Sequence, residues 1–134
     1  MTYRSRPVGI TALSLFFGFG TLMSGLAAVM LLFPGGVLDP IWWLNPHAHK
    51  GFATLGSWAV LLMAAVCLAC ATAALGLWRC TRWGFWAALA ILSINLVGDT
   101  TNALIAGDWR TLIGLPIGGF MVAYLVRQRR VFDK

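Results

Sequence analysis

The sequence predicts an all-α fold, four membrane-crossing helices in an up-down-up-down bundle with a short interfacial segment between the first and second. Three observations carry this. Of 134 residues, 60% are hydrophobic and 10% charged, and the mean hydropathy is +0.82, which excludes a water-soluble globule. Charge-free runs are long enough to cross a hydrocarbon core, which takes about 20 helical residues. Proline and glycine clusters separate those runs. Residues 1–134 therefore read as a single integral membrane domain.

The first helix is expected over approximately 8–33, inside the uncharged stretch from Pro7 to Leu38. Phe33-Pro34-Gly35-Gly36 stops it, because proline cannot continue the hydrogen-bond ladder and glycine tolerates left-handed torsions. Asp39-Pro40 reads as a cap and first-turn proline for Ile41-Trp42-Trp43-Leu44, whose paired indoles suit the headgroup boundary. Asn45-Pro46 repeats that pattern. The second helix is thus expected over 46–77, through the uncharged stretch Gly51 to Trp78. The third is expected over 83–106, interrupted only by Asp99, and Gly107-Asp108 supplies a helix stop followed by a cap. The fourth, over 109–127, contains Pro116, which should kink it by freeing the Leu112 carbonyl.

Eight basic residues (Arg4, Arg6, Arg79, Arg82, Arg127, Arg129, Arg130 and Lys134) fall on one side of this topology, and only Lys50 and Arg110 on the other. The positive-inside rule then places both termini in the cytoplasm. The first helix is too long for a cleaved signal peptide and reads as a retained anchor. The basic excess belongs to helix ends beside tryptophans, so no nucleic-acid partner is expected. The expected partner of Arg127, Arg129 and Arg130 is a bilayer with anionic headgroups.

Within lipid, helices associate through small and polar residues. Steps of three and four link Thr11, Ser14, Gly18, Thr21, Gly25 and Ala28 on the first helix. They also link His47, Lys50, Thr54, Ser57 and Leu61 on the second, Leu92, Asn95, Asp99, Asn102 and Ala106 on the third, and Thr111, Gly114 and Gly118 on the fourth. These four stripes are expected to face one another.

Asp99 is the most informative residue, because a carboxylate in a membrane helix persists only when paired, hydrated or used. It lies about 12 Å below the outer end of its helix, with Asn95 and Asn102 on the same face. Lys50, Thr54 and Ser57 match its depth on the second helix. A polar pocket between helices two and three is the expectation, with Asp99 paired to Lys50 directly or through water and Thr21 completing the wall. Two uses stand open. The Asn-Asp-Asn stripe is glue for a helix interface, or the pocket takes a cation, proton or small polar solute.

His47 and His49 are weak metal candidates, since residues two apart on a helix point about 200° apart and further ligands would have to come from Asp39, Asp99 or Asp108. Cys67 and Cys70 form a CxxC, but its place in the membrane favours small packing residues over redox chemistry, and Cys80 stands alone in a turn. The chain has no glutamate, and no histidine near an intramembrane serine. Neither an enzyme nor a cofactor is expected.

The opening Arg6-Pro7-Val8-Gly9-Ile10-Thr11, the turn Gly76-Leu77-Trp78-Arg79 followed by Arg82-Trp83-Gly84, and the closing Tyr124-Leu125 with Val131-Phe132 resemble a loose group of uncharacterised small bacterial four-helix membrane proteins. The resemblance implies a fold and a bacterial inner membrane as its location, and transfers no activity. Small four-helix multidrug exporters differ, because they centre on a first-helix glutamate that this chain lacks. The expected role is a non-catalytic accessory subunit of a membrane complex, or a self-assembling protein with a homo-oligomeric partner. The alternative is a solute or ion transporter built on Asp99.

Overall fold

In a computed structural model that describes residues 5–107 and 109–133, the regular structure is all helical. The α-helices are α1 (Val8–Leu32), α2 (Pro46–Leu55), α3 (Ser57–Trp78), α4 (Arg82–Ala106) and α5 (Gly114–Arg127). Short 3-10 turns occupy Asp39–Leu44, Trp109–Ile113 and Arg129–Val131. Four stretches are long and apolar enough to cross a membrane: α1, α3, α4, and Trp109–Arg127. The chain thus has the spans of a four-helix membrane bundle. Arg4, Asp108 and Lys134, which entered the charge and capping expectations, lie outside the described residues.

Several boundaries follow from local chemistry. Asn45 caps α2 by accepting a hydrogen bond from the Ala48 amide at 3.1 Å, with Pro46 in the first turn. Gly107 ends α4 in the left-handed conformation, φ +63°. The expected helix over 46–77 is corrected. Gly56 adopts φ +58°, ψ −134°, a region essentially reserved for glycine, and breaks it into α2 and α3. The spanning helix begins only at Ser57, so Lys50 and Thr54 do not continue its axis. The kink at Pro116 is also corrected. Pro116 is the third residue of α5, where a backbone amide has no intrahelical partner anyway, and the irregularity sits in the preceding 3-10 turn.

α1 packs along α3, α3 against α4, and α4 against the fourth span, while α1 and α5 touch only briefly. Lipid is as apolar as leucine, so close approach holds these helices more than water exclusion does. On α1 the buried face is Ile10, Leu13, Ser14, Phe17 and Ser24, displaced by about one residue from the expected stripe. It meets the small residues Ala59, Cys70 and Ala73 of α3. Gly20 and Gly25 leave room for the sulfurs of Cys70 and Cys67. Two hydrogen bonds cross this seam, from Ser14 Oγ to the Ala74 carbonyl at 2.8 Å and from Cys67 Sγ to the Thr21 carbonyl at 3.4 Å.

The α3–α4 connection is tighter still. Gly76 and Gly84 touch backbone to backbone, so a Cβ on either would collide with the other. The Cys80 amide donates to the Leu77 carbonyl and the Thr81 amide to the Gly76 carbonyl, at 3.0 and 2.9 Å, closing a Schellman motif. Thr81 then caps α4 by accepting from the Gly84 amide at 3.3 Å.

The core gathers toward the end where α1 and α4 begin and α3 and α5 finish, called the basic end below for its arginines. Ile10, Leu13, Phe17, Leu77, Phe85, Leu92 and Leu125 form it. The turn Arg129–Val131 folds the tail beneath the bundle, and Phe132, 2% exposed, packs on Phe85 with ring centroids 5.4 Å apart. At the far end packing thins. No residue of α4 beyond Leu92 is buried.

Candidate functional site

The polar stripe of α4 lies in this thinly packed half. Asp99 is half-buried, whereas Asn95 and Asn102 are exposed. The carboxylate leans toward the fourth span: a Cβ at Gly114 would stand 3.1 Å from Asp99 Oδ2. One turn deeper, Gly118 meets Leu96 in the same way, so the expected Gly114 and Gly118 stripe does face α4. Among the described residues the Asp99 carboxylate has no hydrogen bond or ion pair.

The expected pocket between the second and third spans is corrected in its composition. Lys50, Thr54 and Ser57 are all exposed, and so are His47 and Leu61 of the same stripe. Thr54 Oγ1 donates to its own helix at the Gly51 carbonyl, 2.7 Å. No hydrogen bond or ion pair joins Lys50 to Asp99. The break at Gly56 is the physical reason, because Lys50 and Thr54 share the depth of Asp99 only on one continuous helix. Thr21, expected in the wall, donates to the Phe17 carbonyl of its own helix at 2.9 Å. Asp99, Asn95 and Asn102 therefore stay together on α4, and their partners from the second helix do not join them.

The two histidines separate. His49 stacks on Trp42 with centroids 4.8 Å apart and planes 10° apart, and Phe52 closes on the same indole at 5.8 Å. This draws Trp42 inward, 8% exposed, while neighbouring Trp43 stays 88% exposed. His47 is exposed. Among the described residues no three His, Cys or Asp side chains are grouped to hold a metal ion. The folded-over hairpin and α1 enclose an apolar cleft of about 360 Å³ bordered by Met23, Met30, Trp42 and Phe52.

The basic end holds the most concentrated charge. Arg6, Arg79 and Arg130 line a groove of about 590 Å³, with Trp78, Gln128 and Asp133. The Arg6 guanidinium sits 4.0 Å over the Trp78 ring, a cation–π contact that fixes it there. Arg129 lines a separate cleft with Arg82 and Asp133, and Arg127 is exposed on the surface. The expected headgroup trio is thus divided, and Arg6 and Arg79, which the sequence placed on the basic side but not among the headgroup residues, join Arg130. Their positions three residues or fewer from helix ends were the available signal. No protein family, curated protein or solved structure matches the chain.

Proposed function

We propose that the protein is a non-catalytic, polytopic membrane protein that works by lateral helix association, and that its partner is a second copy of itself. The observation that carries this is the exposure of Asn95 and Asn102 on α4. Asn95 stands near the middle of a 25-residue helix, where an unpartnered amide facing hydrocarbon costs several kcal/mol. A carboxamide both donates and accepts, so two copies of this face satisfy each other across a two-fold axis. Gly98 supports the same geometry. Nothing approaches within 4 Å of where its Cβ would be, which leaves bare backbone for a neighbouring helix to approach.

The basic end is proposed to face the cytoplasm of a bacterial cell, on the eight-to-two division of basic residues. Native mass spectrometry of the full chain in nanodiscs tests the association. A dimer is expected, and Asn95→Leu with Asn102→Leu should weaken it by about tenfold or more, because interhelical amide bonds contribute about 1–2 kcal/mol each. Unchanged dimerisation in the folded double variant refutes the reading. A monomer accompanied by a different co-purifying protein replaces it with an accessory-subunit role.

A second reading rests on Asp99, whose half-buried carboxylate beside Gly114 is a ligand for a cation, proton or small polar solute. Asp99→Asn decides: loss of uptake or binding with assembly intact supports it, and loss of assembly alone returns Asp99 to the helix interface.

A further inference from the structure

We propose that the basic end carries a specific site for one anionic phospholipid, with its phosphate in the arginine groove and an acyl chain in an apolar furrow directly beneath. Three separate segments deliver the guanidiniums: the lead into α1 (Arg6), the α3–α4 turn (Arg79) and the tail after α5 (Arg130). Among the described residues lining that groove, only Asp133 offsets them, leaving a net charge of +2. Among the described residues, the guanidiniums of Arg79 and Arg130 have no hydrogen bond or ion pair. Guanidinium forks match phosphate oxygens in pairs, and three in one cleft repel one another until an anion enters.

The furrow commits the ligand to a lipid. Because α1 and α5 touch only briefly, a channel of about 260 Å³ with almost no polar lining runs between them, bordered by Ala12, Leu13, Phe120 and Met121. Gly9 and Tyr124 close its upper edge, in contact with each other. Gly9 lies two residues past Pro7, and Tyr124 one helical turn before Gln128, and both Pro7 and Gln128 line the groove. Polar groove and apolar furrow are therefore about 3–6 Å apart along the bundle, close enough for one phospholipid to place its phosphate in the first and the start of an acyl chain in the second. A free phosphate would use the groove and leave the furrow without a role. This site does not rest on self-association, which uses α4.

The test titrates the delipidated full-length protein with short-chain phosphatidylglycerol, phosphatidylcholine or inorganic phosphate, and reads adducts by native mass spectrometry. One saturable phosphatidylglycerol adduct is expected, with phosphatidylcholine binding about tenfold weaker or less. Arg79→Gln with Arg130→Gln should weaken phosphatidylglycerol about tenfold, and Ala12→Phe, which fills the furrow without touching the arginines, should weaken it while leaving melting unchanged. Asn95→Leu with Asn102→Leu should bind it normally. Should the double arginine variant fail to fold, Arg79→Gln alone is read in the same titration. Equal binding of both lipids, no saturable adduct, or competition by inorganic phosphate with Ala12→Phe unaffected each overturns the proposal.

Discussion

Cys80 holds φ +52°, the left-handed region where a Schellman motif ordinarily has glycine. The two hydrogen bonds that close the α3–α4 turn require that torsion, so the residue must carry its steric cost of about 1–2 kcal/mol. Cys80→Gly should therefore fold as well as the parent or better. Cys80→Val, branched at Cβ, should lose about 2 kcal/mol in detergent unfolding experiments. Equal stability of the valine variant would show that the turn opens easily. Ser14 illustrates the opposite weighting: its hydroxyl reaches a carbonyl already engaged in α3, so the 2.8 Å bond contributes less than about 1 kcal/mol.

Among the helices, the contact of Gly76 with Gly84 fixes how α3 crosses α4. Backbone lies on both sides, and neither can move aside as a side chain would. Gly84→Ala should destabilise the bundle by about 2–3 kcal/mol, whereas Gly119→Ala, with nothing within 4 Å, should be neutral or slightly stabilising. Thermal melts of the two variants in one detergent make the comparison. The helices themselves were legible in the sequence because their punctuation is local: Asn45-Pro46 and Gly107 set their boundaries without reference to the rest of the chain. Gly56 was not legible. A glycine within an apolar run is tolerated inside a helix as well as able to break one, and only its torsion, φ +58°, shows which it does here. Helix faces are hard to read for a related reason. On helices apolar all round, several stripes satisfy steps of three and four, so the same spacing picks out Ser14 and Gly25, which pack against α3, and Lys50 and Thr54, which stay exposed.

Across the whole molecule, burial is uneven: aromatic and aliphatic side chains interlock at the basic end, and the far half leaves α4 open. The candidate site was legible only in part on this scale. Asp99 with its two asparagines could be read from spacing, but which neighbour met them depended on α4 pairing with the fourth span at Gly114. The arginine groove depends on chain ends converging after folding, which no local pattern encodes. The three free thiols, finally, form a native reporter of sidedness. Cys67 and Cys70 are enclosed between α1 and α3, while Cys80 opens into the groove. With the basic end on the cytoplasmic side, as proposed above, an impermeant maleimide should leave Cys80 unlabelled in intact cells and mark it, alone of the three, once the membrane is breached. Labelling of intact cells would turn the molecule upside down, and with it the leaflet from which any bound lipid is drawn.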